Sequence, residues 1–540
     1  MAPPAPESAP WTRLLPWIAL GLGAYGLLDG IGAGSTPGSD ECMHSIAALR
    51  LFELIRLGDW SGFWREFHKP EFYTPLGRLG MGLGYLGGLE FDAPRTATAW
   101  AWIFTTGLCI PLTRRVAGGG AVATLASTLC VAMMLGSWLA VSYCRGAYLE
   151  GWSAAVTLLS LGAYLKARDG TSRPWAITCG LLLGMAILVK ATYGLFALGA
   201  VGLSGIFDLV QRPKGVAPAL LAGNVFLGAL LCLGWWFVLP LPMGFDYGAL
   251  HRANFVEYLT KAGALNSPGP GFIFVAWAFM ACYSLPIFAA QVAGLAWGCK
   301  RWSCPATRMC AILGIVGPLA FVLYPFRIDR FLIPTLFGGC VLGSTILARF
   351  IWRPDGARQR SLRMGLLLVT VIASSSLEAV LGPGQRWVNP FADRSVPAGG
   401  PRGTQALLNQ AVTHLNAYVP FLWIGGTGTE LPPTLVDWTL YQTQRVPEVL
   451  FKDRDDQAWF WEEPTGADGQ PWTRGDFQEY TSSYFHVLVL DPPDPRSRPR
   501  EFEERYADWM TTHPGFELLA TETGTLDGQP FRVRVYRKLR

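Results

Sequence analysis

Residues 39–44 read SDECMH, with two adjacent carboxylates, Asp40 and Glu41, and His44 about one helical turn later. A carboxylate at a membrane–water boundary can have its pKa raised toward the working range and act as a general base. An adjacent acid can position a hydroxyl, and the pair would supply the ligands if a divalent ion took part. Neighbouring helical residues point about 100° apart, so the two acids do not close on one atom, and His44 shares a face with one or the other. Cations form the second group. Lys190 interrupts the apolar stretch LLLGMAILVKATYG, and Arg327 and Arg330 stand in YPFRIDRF at 324–331. Guanidinium and ammonium groups stabilise developing negative charge in a dry site. The bland alternatives are helix capping for Asp40 and Glu41 and a surface ion pair for Arg327, Asp329 and Arg330. Lys190 resists such a reading because a lysine inside so apolar a run is costly without a purpose.

The elements that position these groups follow from composition. The 540 residues are 51% hydrophobic and 15% charged, with a mean hydropathy of +0.28. Apolar runs recur at membrane-spanning length almost to residue 382. Beyond it, GQRWVNPFADRSVPAGGPRG is polar and rich in turn formers, and no later run could span a bilayer. The chain therefore divides into a membrane part, 1–382, and a soluble α/β domain, 383–540. A net charge of +5 gives no reason to expect a nucleic-acid partner.

The short basic connectors TRRVAGG, KARDGTSR, QRPK, CKRW and RFIWRPDGARQRSLR set the orientation if all are cytoplasmic. Stretches 116–165, 174–211, 216–297 and 309–348 are then hairpins. Residues 14–34 pair with 96–113 across a long outer loop at about 35–95, and 364–382 carries the chain out. The total is about eleven transmembrane helices, with the N-terminus cytoplasmic and the C-terminal domain extracytoplasmic. The first apolar run is long for a signal-peptide core and lacks a small-residue cleavage pattern, so it reads as a span. This topology gathers the outer loop and the turns at 143–151, 189–194, 241–271 and 324–331 on one face. Within the loop, aromatic and charged residues alternate as in amphipathic helices at a membrane interface.

These residues resemble the GT-C superfamily of polyprenyl-phosphate-sugar-dependent glycosyltransferases, which includes protein O-mannosyltransferases and lipid A aminoarabinose transferases. The resemblance rests on Asp40-Glu41 after the first span, RLGDW at 56–60 and HKPEFYTPL at 68–76. It extends to RGAYLEG at 145–151, LLLGMAILVKATYG at 181–194 and FRIDRFLIP at 326–334, covering most of 14–382. It implies a GT-C-like helical membrane fold and transfer of a hexosyl or pentosyl group from a polyprenyl-phosphate-linked donor. The acceptor would be a glycan, lipid or protein at the outer face of the cell's inner membrane. Such a transfer needs a base for the acceptor hydroxyl and cations for the departing phosphate. Asp40 is the expected base and Glu41 its competitor; Lys190, Arg327 and Arg330 are expected at the phosphate. His44, Lys69, Arg145 and Glu150 are secondary substrate-binding candidates.

Two other classes fit a polytopic chain. A transporter or flippase of lipid-linked sugars should carry its essential charges near the bilayer midplane in paired broken helices, and no internal repeat is visible here. A polysaccharide polymerase or ligase should carry its large loop late in the chain, whereas here it comes first. Of eleven cysteines, Cys299, Cys304 and Cys310 cluster, but without the paired spacing or histidines of a metal site. Residues 383–540 contain no cysteine, and no N-x-S/T sequon occurs, which fits a bacterial membrane. The tail itself carries no nucleophile motif or phosphate loop.

Overall fold

The computed structural model describes residues 10–29, 31, 39–69, 75–213, 215–238, 249, 252, 256, 285–323, 329–353, 356–381, 404–416, 419, 421–424, 433–445, 464–465, 469–491, 501–526 and 529–539. Arg327 and the 241–271 turn, apart from three isolated positions, lie outside them, as does the boundary expected at 382/383.

The membrane part is a helical bundle. Among the described residues it comprises α1 (Leu15–Asp29), α2 (Ser39–Arg56), α3 (Trp60–Phe67), α4 (Pro75–Gly82), α5 (Asp92–Ala117), α6 (Gly120–Leu135), α7 (Trp138–Cys144) and α8 (Glu150–Gly170). It continues through α9 (Arg173–Val189), α10 (Ala191–Gln211), α11 (Pro218–Val238), α12 (Leu285–Lys300), α13 (Pro305–Leu323), α14 (Leu336–Ile351) and α15 (Ala357–Leu381). By length and apolarity, three described segments could cross a membrane unaided: Ala191–Gln211, Pro218–Val238 and Leu332–Ile351. Shorter apolar helices run over Gly120–Leu135, Arg173–Val189 and Pro305–Ala320.

Small residues let the bundle close. Gly180 of α9 and Gly228 of α11 each lie against the other helix's backbone, where a Cβ would collide with a carbonyl. Close backbone approach of this kind is the usual basis of helix association in lipid, where apolar side chains gain little by leaving the tails. The α9–α10 turn is equally tight. Lys190 alone separates the helices, in extended backbone at φ −161°, and Gly194 packs against the Ile187 backbone.

The loop between α1 and α5 is largely helical, and its motifs have local causes. Gly58, at φ 70°, ends α2 in the left-handed conformation that glycine adopts without strain. Asp59 then caps α3, its carboxylate accepting from the Gly62 amide at 2.8 Å. The GDW sequence is thus the joint between two helices. α3 is amphipathic, with Phe63 and Phe67 buried and Trp60 and Trp64 exposed. α2 departs from the expected interfacial helix because it is enclosed: Ile46, Leu49, Leu51 and Leu54 are all buried. The C-terminal domain lies along one side of it and the α4–α11 layer along the other.

That domain is a small α/β unit containing α16 (Thr404–Val412), β1 (Phe421–Ile424), α17 (Pro433–Gln444), α18 (Arg474–Thr481), β2 (His486–Asp491), α19 (Glu501–Thr511), β3 (Phe516–Leu526) and β4 (Gln529–Lys538). The sheet order is β1-β2-β4-β3. β1 and β2 are parallel, and β4 is antiparallel to both β2 and β3, with an irregularity at Leu518/Ala520. The continuous apolar runs FLWI and HVLVLD form the parallel pair β1 and β2, with β1 buried although it stands at the sheet edge. Helix α17 docks on the loop between α1 and α5. Trp438 is fully buried, packs edge-on to Phe91 at 4.4 Å and approaches Tyr85 at 6.3 Å. The Gln442 amide donates to the Leu89 carbonyl at 2.6 Å.

Candidate active site

One end of the bundle gathers α1's last turn, α2, the start of α5, residues 143–150, the α9–α10 turn and Arg330. Glu41 is fully buried in the first turn of α2. Its Oε1 accepts from Arg95 Nε at 3.2 Å and from the Ala147 amide at 2.8 Å, and its Oε2 accepts from Arg95 Nη2 at 3.3 Å. Arg95, at the start of α5, is also fully buried and donates to Asp92 at 3.1 Å. Glu41 therefore ties α2 to α5 and to the 145–149 turn through both of its oxygens. A divalent cation at Glu41 would have to displace the Arg95 guanidinium from the carboxylate. Among the described residues, no group of three His, Cys, Asp or Glu side chains could hold a metal ion. Asp40 occupies the same helical turn, and its side chain is outside the described set.

The second cluster centres on Glu150, the first residue of α8. Its Oε1 accepts from the Tyr193 hydroxyl at 2.6 Å and from Lys190 Nζ at 3.2 Å, with Arg330 Nε at 3.8 Å. Lys190 Nζ also lies 3.2 Å from the Tyr193 hydroxyl. The guanidinium of Arg330 faces the Tyr148 ring at 5.1 Å and the Tyr143 ring at 5.9 Å. Lys190, Arg330 and Glu150 are all buried. Their exact placement follows from local geometry. The extended residue at the α9–α10 turn projects its ammonium at the N-terminus of α8, and a short 3₁₀ segment at Asp329–Thr335 presents Arg330.

His44 joins the two clusters. One turn after Glu41, it is buried and lies within the fields of Arg78, Lys190, Arg330 and Glu150. Burial, then the Arg78 charge, hold its pKa well below the ordinary value of 6.5, so the ring is neutral at physiological pH.

This architecture recurs in solved structures. ArnT from Cupriavidus metallidurans bound to undecaprenyl phosphate matches with a TM-score of 0.58 at 14% identity, covering 96% of this chain and 97% of that one. The same protein in the apo state matches at 0.53 and 15%, with equal coverage. The chain has the GT-C fold. The archaeal oligosaccharyltransferase AglB from Archaeoglobus fulgidus, in complex with an inhibitory peptide and a dolichol-phosphate, matches at 0.50 and 11%, covering 75% of this chain and 58% of that one. No protein-family model and no curated protein sequence matches the chain.

Within this GT-C fold, the residues singled out by sequence separate into groups. Glu41, His44, Glu150, Lys190 and Arg330 come together. Arg145 is fully buried and serves α1 instead, donating to the Gly26 carbonyl at 2.8 Å and the Leu27 carbonyl at 3.2 Å. Basic side chains often satisfy last-turn carbonyls in this way. Lys69 is exposed just beyond α3, next to residues 70–74 outside the described set. Four contributors escaped sequence reading: Arg78, Arg95, Tyr148 and Tyr193. Tyr193 had a readable signal, since it falls one turn after Lys190. Arg95 also had one, as a cation three residues from Asp92 at the start of an apolar helix.

Proposed function

We propose that this protein is an inverting glycosyltransferase that moves a hexosyl or pentosyl group from a polyprenyl-phosphate-linked donor to a hydroxyl of a glycan, lipid or protein. The observation that carries this reading is the meeting of an acid-bearing helix with a buried cation cluster at one end of a GT-C fold. Support also comes from the undecaprenyl phosphate and dolichol-phosphate bound by the structural neighbours. The site would face the outer side of the inner membrane, with about eleven crossings, a cytoplasmic N-terminus and an extracytoplasmic C-terminal domain.

In this mechanism Asp40 takes the proton of the acceptor hydroxyl, whose oxygen attacks the anomeric carbon from the face opposite the phosphate. The carbon–oxygen bond to phosphate breaks, and the polyprenyl phosphate leaves with the bonding electrons and one additional negative charge. Lys190 and Arg330 stabilise that charge, with Arg78 adding to the field and Arg327 a further candidate. Phosphate is a good leaving group, so no strong acid is required. Neutral His44 lines the junction without adding charge. Glu41 is assigned to structure rather than chemistry because Arg95 engages both of its oxygens.

The test is transfer by purified protein from polyprenyl-phosphate sugars, with mass spectrometry of envelope glycans and lipids from a deletion strain identifying sugar and acceptor. Asp40→Asn should lower the transfer rate by about a hundred- to ten-thousandfold while sparing donor binding, the usual scale of general-base loss. Near wild-type transfer by Asp40→Asn would refute the base assignment. Activity surviving chelator treatment is expected, because no metal enters the scheme.

A further inference from the structure

Glu150 presents a chemical problem. If the cation cluster receives a phosphate, a carboxylate already sits where one phosphate oxygen should go. All three cluster contacts converge on Oε1: Tyr193 at 2.6 Å, Lys190 at 3.2 Å and Arg330 at 3.8 Å. Oε2 is buried and has no hydrogen-bond partner among the described residues. A carboxylate serving only as a buried structural ion pair would be expected to satisfy both oxygens. This one instead resembles a single anionic oxygen held by a lysine, an arginine and a phenol.

The charge balance gives that arrangement a use. The charges of Arg78, Lys190, Arg330 and Glu150 all act on the neutral His44 imidazole, so one carboxylate stands among three cations. The Glu150 carboxylate lies against both the buried lysine and the buried arginine and offsets their mutual repulsion. With that carboxylate in place, an entering phosphate must displace it from the ammonium or bind against its field. Either way, the hold on phosphate is weaker than bare cations would give.

We propose that Glu150 is a positioning residue, an internal counter-anion of the phosphate seat. It aligns Lys190 and Arg330 when the seat is empty and loosens the seat's grip on the spent polyprenyl phosphate so that the carrier leaves. This rests on the reading of the cluster as the phosphate seat. It differs from a direct substrate contact, whose loss would raise KM for acceptor or donor sugar without tightening the carrier. It also differs from a purely structural pair, whose loss would weaken every ligand.

The experiment measures binding of a polyprenyl monophosphate, lacking sugar, to full-length protein in detergent, alongside steady-state transfer. Lys190→Ala should weaken binding about tenfold or more. Glu150→Gln should tighten it about tenfold or more, since a like charge at contact distance is removed from a weakly screened site. In Glu150→Gln, kcat should fall while inhibition by added polyprenyl phosphate strengthens, and Glu150→Asp should restore turnover in part. If Lys190→Ala weakens binding but Glu150→Gln is unchanged or weaker, the counter-anion idea is wrong and the seat stands. If wild type does not bind the carrier, or Lys190→Ala binds it equally well, the seat itself is wrong. If Glu150→Gln does not fold, infrared difference spectra of the wild type decide. A carboxylate band should shift on saturation with polyprenyl phosphate, and an unchanged band would overturn the proposal.

Discussion

The Glu41–Arg95 pair allows structure and chemistry to be separated by mutation. Both side chains are fully buried, and two contacts at 3.2 and 3.3 Å join them in a fork-to-fork arrangement. Arg95→Met keeps the volume and removes the guanidinium, leaving a buried carboxylate without that counter-charge. Breaking a buried pair from one side typically costs about 3–5 kcal/mol. Two charge-assisted hydrogen bonds at about 1.5–3 kcal/mol each give a similar figure. Glu41→Gln should cost less, because Arg95 keeps its contact with Asp92 at 3.1 Å. The double variant Glu41→Gln/Arg95→Met buries no uncompensated charge at this position and should recover most of the Arg95→Met loss.

The assay is equilibrium or thermal unfolding of detergent-solubilised protein for wild type, both single variants and the double variant, with transfer measured on the same samples. Strong favourable coupling in the cycle is expected, since the residues touch directly. A double variant as unstable as the two single losses added together would refute the pairing argument. Transfer decides the other half: a stable double variant that retains activity leaves Asp40 as the base. A stable double variant with no activity, beside an active Asp40→Asn, would reverse the two acids' roles.

Two further outcomes follow from the C-terminal domain. Trp438→Ala should cost about 3–5 kcal/mol, the usual range for a buried tryptophan, and should speed amide hydrogen exchange along α2, which α17 supports; unchanged exchange in α2 would separate the domain from the site. Burial, then the Arg537 charge, hold the His486 imidazole down to about 4 from its ordinary 6.5. The folded domain thus keeps the ring neutral while the unfolded chain takes up a proton below about 6.5, so this stability contribution is complete above that pH. It falls away as pH drops from about 6.5 to about 4, amounting to about 2–3 kcal/mol. Melting curves across that window should be flatter for His486→Gln than for wild type, and parallel curves would contradict this.

How much was legible in the sequence depended on how far apart the partners lie. The turn at 189–194 was read from the sequence and Lys190 marks it; the helix joint at Gly58 and Asp59 was not, although local rules govern both. The strands FLWI and HVLVLD likewise carry a local signal, as continuous apolar runs. Arg95 reaching Glu41 across 54 positions was not legible, nor was Arg145 reaching the Gly26 carbonyl across 119. Helices that are apolar on most sides do not reveal which face meets which neighbour. For the same reason, His44 could be assigned to the face of one acid or the other, but not to the cation cluster it occupies. The enclosure of α2 was equally hidden, since its cover, Trp438, arrives from a domain joined far downstream.

The two ends of α8 and α10 offer a last comparison, between a finished ion cluster and one with room to bind. At the far end, Asp208 is buried and uses both oxygens. Oδ1 accepts from Arg308 at 2.8 Å and Arg168 at 3.4 Å, and Oδ2 accepts from Arg168 at 2.8 Å and the Tyr164 hydroxyl at 3.0 Å. Arg308 additionally donates to Ser204 at 2.9 Å. Such saturation is what a structural carboxylate requires, and it fixes the helices at that end. At the near end, Glu150 links the same two helices with one oxygen crowded by donors and the other without a hydrogen-bond partner among the described residues. The same helices thus carry a satisfied network where only rigidity is needed and an under-satisfied one where a ligand is expected. Local departures from complete polar satisfaction tend to fall at functional positions.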